Sequence, residues 1–302
     1  MALITPKQEG HLSGRVSHRA RGVDQASRLR QLVRRRRESA RTLAILSGKG
    51  GVGKSNIAVN LAICLAARGL RSTLVDVDMG LANADLLMNV RPQYTLAHLI
   101  SGARSIEEVC TEGPGGVRFV AGASGLHGLA NLSEFERQHL ITQLQKLESS
   151  TDILILDCGA GISKNVTAFA LASDQALVVT TPQPPALTDG YATIKALHRE
   201  RYGGLVYLFV NMAGSRAEAQ AAHRRITEVA RRFLDYSVAN GGYMLQDTSV
   251  ELAVQARSPF VIRYPGSNAS ACVAAMATEV ARSCVGQQRR GSFFERVVGL
   301  FV

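Results

Sequence analysis

No stretch of this 302-residue sequence approaches ~18 uninterrupted apolar residues, so no segment is expected to cross a membrane as a helix. Residues 1–10 lack the apolar core of a secretory signal, and export by that route is not expected. Paired cysteines are missing too. The five present, Cys64, Cys110, Cys158, Cys272 and Cys284, are odd in number, scattered and without a C-x-x-C pair. That argues against a disulfide framework and against a zinc or iron–sulfur site, and it fits a reducing cytosol. No internal repeat is visible. What is there is an ordinary globular composition, 46% apolar and 20% charged, which supports a sizeable core and excludes whole-chain disorder, collagen and coiled coil.

The net charge of +11 is unevenly placed. Residues 1–41 carry 11 basic and 3 acidic side chains, residues 286–302 carry 3 and 1, and the long middle is nearly neutral with 21 and 20. A basic protein suggests nucleic acid, but basic tails on a neutral globule serve an anionic lipid surface or a protein partner equally well.

Residues 1–22 have no periodicity and read as disordered. Asp24 is a good N-cap, and Ala26, Leu29, Leu32 and Val33 recur at helical spacing, predicting a short basic helix over about 24–37. From Thr42 the pattern alternates. Strands are expected at 42–47, 71–76, 117–121, 152–157, 175–180 and 205–210. Helices are expected at about 54–68, 133–149, 163–173, 186–199, 215–233, 248–256 and 268–284. Near-continuous apolar strands joined by helices predict an α/β fold, a doubly wound and mostly parallel sheet with helices on both faces. The chain therefore divides into a basic segment 1–41, one domain over 42–285, and a tail 286–302.

The first strand runs into Gly48-Lys49-Gly50-Gly51-Val52-Gly53-Lys54-Ser55-Asn56 and then a helix, which is G-x-x-x-x-G-K-[ST] in its strand–loop–helix context. Glycines let backbone N–H groups turn in around phosphate oxygens, and the helix adds its positive end. Lys54 neutralises β/γ-phosphate charge, and the Ser55 hydroxyl is a Mg²⁺ ligand. Strand 71–76 ends in Asp76-Val77-Asp78, placing carboxylates at the crevice edge of a parallel sheet. Strand 152–157 is an apolar run ending in Asp157, a Walker B pattern that holds Mg²⁺, and Gly159 and Gly161 free the following backbone to move. Cys158 beside it reads as a buried, inert thiol. Strand 205–210 ends at Asn211-Met212-Ala213-Gly214 and lacks the N-K-x-D that reads guanine, so ATP is favoured over GTP.

Lys49-Gly50-Gly51-Val52-Gly53-Lys54-Ser55, with its early second lysine, resembles the deviant Walker A loop of the P-loop NTPases of ParA/MinD type. The resemblance implies that Lys49 reaches across an ATP-dependent homodimer to the partner copy's phosphates. It further implies that Asp78 orients the attacking water, that Asp76 supports the Mg²⁺ shell, and that Asn211 and Asp247 lie at the base. Gln183 and Leu245 depart from the family's usual Glu and Pro. Within that family Asp24-Gln25-Ala26-Ser27-Arg28-Leu29-Arg30 and Gly159-Ala160-Gly161-Ile162-Ser163 are similar to the FlhG-type flagellar-number regulators, as is the run from Gly122 to Ser133. That likeness implies contact of residues 24–37 with an FlhF-like GTPase.

The tail from Ser292 to Val302 is short and amphipathic, with Phe293, Phe294, Val297, Val298, Leu300 and Phe301 on one broad face and Arg289, Arg290 and Arg296 nearby. That composition suits a reversible anchor on an anionic membrane surface. The expected protein is a cytoplasmic, Mg²⁺-dependent ATPase reversibly associated with the inner face of the cell membrane. MinD-like division-site control and ParA-like partitioning are the alternatives, with DNA binding disfavoured.

Overall fold

The computed structural model describes residues 40–78, 83–122, 133–283 and 292–301. The expected helix at 24–37, most of the Gly122–Ser133 run and the linker before Ser292 lie outside them.

The chain order is β1 (Arg41–Ser47), α1 (Lys54–Ala66), β2 (Ser72–Val77), the short helices α2 (Ala84–Met88), α3 (Leu96–Ile100) and α4 (Ile106–Val109), then β3 (Cys110–Glu112) and β4 (Arg118–Val120). There follow α5 (Glu134–Ser149), β5 (Ile153–Ala160), α6 (Lys164–Ala172), β6 (Gln175–Thr180), α7 (Pro184–Arg199), β7 (Leu205–Ala213), α8 (Arg216–Leu234) and β8 (Ala239–Leu245). Helices α9 (Thr248–Gln255), α10 (Phe260–Arg263), α11 (Asn268–Ser283) and α12 (Phe293–Phe301) complete it. The strands form one eight-stranded sheet in the order β3-β4-β2-β5-β1-β6-β7-β8, parallel except for the β3–β4 pair. Every residue of β1, β2 and β6 is buried because helices cover both faces.

Side-chain alternation divides the core in two. On one face α1 and α11 pack over Leu43, Ile45, Leu74, Ile155 and Phe209. On the other α5, α6, α7 and α8 pack over Ala44, Val75, Leu156, Val178 and Leu208. Local signals start the helices: Ser133 Oγ accepts from Glu136 N while the Glu136 carboxylate accepts from Ser133 N at 2.8 Å, a capping box opening α5.

All six expected strands are present, with β5 reaching Ala160 and β7 reaching Ala213. The sequence reading missed β3, β8 and the four-to-five-residue helices α2, α3, α4 and α10. β8 was hidden by Gly241-Gly242, where the pairing with β7 slips register.

The terminal helix forms where amphipathicity puts it, but four side chains of its apolar face are spent within the protein. Phe293, Phe294, Val297 and Val298 are buried. Phe294, Val297 and Val298 lie against Leu140 and Leu144 of α5, Phe169 of α6, and Val75, Val77 and Leu156 of the sheet. Polar contacts hold the seat. Glu148 accepts from Ser292 Oγ and Phe294 N, both at 2.9 Å, so a buried carboxylate from α5 caps α12. Arg296 Nε donates to the Ala172 carbonyl at 2.8 Å and its guanidinium meets Asp174 at 3.4 Å. The tail in this state is a docked helix, not a free anchor.

Candidate nucleotide-binding site

β1 is the switch point of the sheet. Its chain-order successors run outward on both sides, and the crevice beyond its carboxyl end receives the Gly48–Ser55 loop. Two glycines there are obligatory. A Cβ on Gly48 would fall 2.2 Å from the Asp189 carbonyl oxygen. Gly53, at φ +85°, would drive a Cβ to 2.3 Å from Asn211 Nδ2.

Lys54 is buried, and its Nζ donates to Asp157 Oδ1 at 2.5 Å. Burial alone would lower its pKa; the Asp157 carboxylate outweighs that and holds it above the usual lysine value. Register places Asp76 directly beside Asp157 on the adjacent parallel strand. Asp76 is fully buried, with Oδ1 accepting from Asp78 N at 3.0 Å and Oδ2 from Ala84 N at 3.5 Å. Burial first, and the neighbouring Asp157 second, push its pKa up to about 7. Asp78 lies close to Gly159, where a Cβ would sit 3.2 Å from Asp78 Oδ1. The arrangement gathers Lys54, Asp76, Asp78 and Asp157 at one sheet edge, as the sequence reading expects.

The residues present fit a nucleotide-bound Mg²⁺. Asp157 Oδ2 is buried with no hydrogen-bond partner, one acceptor left over after Lys54 takes the other. Among the described residues no group of three or more His, Cys, Asp or Glu side chains is placed to hold an ion by itself. A magnesium site that shares its ligands with phosphate, through Ser55 and the Asp76/Asp157 pair, has that sparse protein share. Lys49 is exposed and makes no ion pair among the described residues.

The two base-side residues have other partners here. Asn211 is buried, its Nδ2 donating to the Val52 carbonyl at 2.8 Å and its Oδ1 accepting from Met212 N at 2.9 Å. It ties the end of β7 to the phosphate loop, a role that sequence reasoning missed. Asp247 caps α9, accepting from Ser249 N at 2.9 Å and Ser249 Oγ at 2.6 Å, while its other oxygen takes Ala269 N at 3.0 Å and pins the start of α11. The Ser249 hydroxyl, then these backbone donors, hold its carboxyl below the usual range. The spacing Asp247-x-Ser249 before a helical run carries that capping signal. Ser47 Oγ and Thr181 Oγ1, at the carboxyl ends of β1 and β6, are buried without hydrogen-bond partners among the described residues and were not singled out from sequence. Cys158 is buried, with its thiol pushed far up by burial, as an inert core cysteine should be.

Comparison with known proteins agrees with this geometry. The AAA domain family model matches residues 40–202. Antiactivator FleN of Pseudomonas aeruginosa is 38% identical over 259 residues, 85% of this chain and 92% of that protein. Flagellum site-determining protein YlxH of Helicobacter pylori is 37% identical over 63% of this chain and 64% of its own length. The septum site-determining protein MinD of Pyrococcus horikoshii, solved with Mg-ADP, shares the fold at a TM-score of 0.65 and 21% identity, covering 82% of this chain and 98% of that one. Identity with FleN that runs through nearly the whole of that protein, on a sheet edge built as above, means that the chain belongs to the AAA-domain family of P-loop ATPases, in its MinD/ParA-type branch of FleN- and FlhG-like proteins.

Proposed function

We propose that this chain is an ATP-hydrolysing, dimerising switch that sets flagellar number or placement at the inner face of the cell membrane. The observation that carries the chemistry is Lys54 held on Asp157 with Asp76 alongside in register. Backbone N–H groups of residues 48–55 bind the phosphates, and Lys54 exchanges part of its contact with Asp157 for phosphate oxygen. Mg²⁺, held by Ser55 and the Asp76/Asp157 pair, would neutralise charge on the β- and γ-oxygens. Asp78 positions water for in-line attack. Phosphoryl transfer needs placement and charge stabilisation more than a strong base, so one carboxylate suffices. Exposed Lys49 completes the second copy's site, which makes the terminal phosphate the condition for dimerisation. The flagellar assignment is supported by the likeness to the flagellum site-determining protein YlxH, alongside the longer match to the antiactivator FleN. A MinD-like division role would use the same residues and is the second reading, supported by the fold likeness to MinD.

Two attachments complete the proposal. Residues 24–37 engage an FlhF-like GTPase, read out as stimulation of its GTP hydrolysis. Helix α12 engages anionic lipid once it leaves its seat. Docked and lipid-inserted states bury the same four side chains, worth roughly 6–10 kcal/mol gross in either place, so that term nearly cancels. The balance then falls to the contacts of Glu148 and Arg296, and to two anchors acting together in a dimer. Leu300, 48% exposed while α12 is docked, reports on this cleanly: Leu300→Asp should spare the fold and abolish vesicle binding.

The test of the whole is twofold. Purified protein should become dimeric with Mg-ATP and stay monomeric with Mg-ADP, while Lys54→Ala should bind neither. A cell carrying Lys54→Ala at the native locus should show an altered flagellar count by electron microscopy. Normal flagellation there would overturn the flagellar reading, and an absence of heat on titration with Mg-ATP would overturn the nucleotide reading.

A further inference from the structure

Helix α8 has an outward face that the switch does not use. Its inner stripe, Ala219, Ala222, Ile226 and Ala230, is buried against the sheet. Outside it Arg224 and Arg231, and Arg225 and Arg232, form two columns at a spacing of seven residues, two turns apart on one face. All four are exposed, and only Glu228 interrupts them with opposite charge. None of the four guanidinium groups makes an ion pair among the described residues. Beside the Arg225/Arg232 column, on the side away from Arg224 and Arg231, are Val229, 37% exposed, and Phe233, 67% exposed, with the Arg232 guanidinium 5.5 Å from the Phe233 ring centroid.

A merely solvated face explains the arginines but not the phenylalanine at their edge. Glu228, three or four residues from each arginine, offsets one of the four charges and leaves three for an anionic partner. A phosphodiester backbone offers phosphate alone. An anionic bilayer offers phosphate with an apolar layer just beneath it, which suits arginine forks bordered by an exposed aromatic ring. Position agrees. α8 and α12 pack on the same face of the sheet, α12 over β2 and β5 and α8 beside β7 and β8. At ~4.8 Å per strand they stand roughly 20 Å apart.

We infer that one side of α8 is a second contact surface for an anionic lipid bilayer, Arg225 and Arg232 taking lipid phosphate and the neighbouring Phe233 with Val229 entering the interface. The inference shares its partner with the membrane reading of α12 but stands on separate residues, and the two can fail separately.

The test is flotation of full-length protein, with Mg-ATP, on phosphatidylcholine vesicles with and without phosphatidylglycerol. Arg225→Ala combined with Arg232→Ala should weaken binding to the anionic vesicles about 20–30-fold, roughly fivefold per charge, and leave ATP hydrolysis unchanged. Phe233→Ser should weaken it severalfold. If these variants bind as wild type while Leu300→Asp does not, the α8 surface is overturned and the α12 reading stands. If they weaken binding while Leu300→Asp does not, the α8 surface stands and the α12 reading falls. Wild-type vesicle binding in all variants overturns both. If the double arginine variant loses duplex DNA but keeps the vesicles, the surface belongs to nucleic acid and the inference is overturned.

Discussion

Asp76 is the residue whose chemistry most departs from its solution behaviour. Its carboxyl titrates near 7 in the folded protein and near 3.8 when unfolded, because burial and then Asp157 oppose its charge. The sign follows directly. Between those values the folded state holds a proton that the unfolded state has lost, so stability falls as pH rises from about 4 to about 7 and is level above. Asp76→Asn removes that slope. The nucleotide-free Asn variant should match wild type near pH 4 and exceed it at pH 8 by roughly 1–4 kcal/mol, a rise of several degrees in Tm. Equal melting at both pH values would remove the buried-charge account. The same substitution should slow Mg-ATP hydrolysis, so stability and activity move in opposite directions. The carboxylates were legible in sequence because an aliphatic run ending in Asp at a strand's carboxyl end has few other uses beside a phosphate loop. The destination of Asn211 was not legible. An amide at that point of β7 reaches either a base or the Val52 carbonyl, and only the packing of Gly53 against its Nδ2 decides.

At the scale of elements, α12 is a helix held by another helix's carboxylate. Glu148 is buried and accepts two hydrogen bonds from the first residues of α12. Glu148→Ala leaves Phe294 N and Ser292 Oγ without their acceptor, a loss of about 1–3 kcal/mol from the docked state alone. Vesicle binding by the monomer should therefore rise about tenfold or more, with ATP hydrolysis unchanged. Unchanged binding would show that Glu148 does not gate the helix. The tail's periodicity predicted its helicity well, yet not its seat, because a broad apolar face is equally suited to lipid and to a groove between α5 and α6. The long helices and buried strands were legible for the same reason, a sustained period. The short helices α2, α3, α4 and α10 offer barely one turn, too little for a period to register. In β8 the paired glycines erase the β-branched signature, while a Cβ at Gly241 would stand 2.9 Å from the Leu208 carbonyl oxygen.

For the whole molecule, Lys49 bears on assembly. A loop lysine with no ion-pair partner among the described residues should matter little to a monomer. Lys49→Ala is expected to retain Mg-ATP affinity within a few-fold and to lose the ATP-dependent dimer in light scattering. Retained dimerisation would mean that the second copy is recognised elsewhere. Net charge acts at this scale too. The +11 resides mostly in segments flanking the ATPase domain, yet α8 concentrates arginines on a domain that is close to neutral overall. Composition averaged over residues 42–285 conceals that face, because acidic side chains elsewhere cancel it.

Val75 and Val77 line a small apolar cavity with Phe294, Val297 and Val298 of α12 on one side of β2, while Asp76 between them faces the other side, in register with Asp157. A single ribbon of backbone is thus the party wall between the catalytic edge and the tail. A tilt of that ribbon would change the fit on both sides at once, because successive side chains leave a strand on opposite faces. Trimming Val75 to alanine would slacken the tenant on the far side and disturb the carboxylates by the same stroke, so neither side of this strand is free to drift on its own.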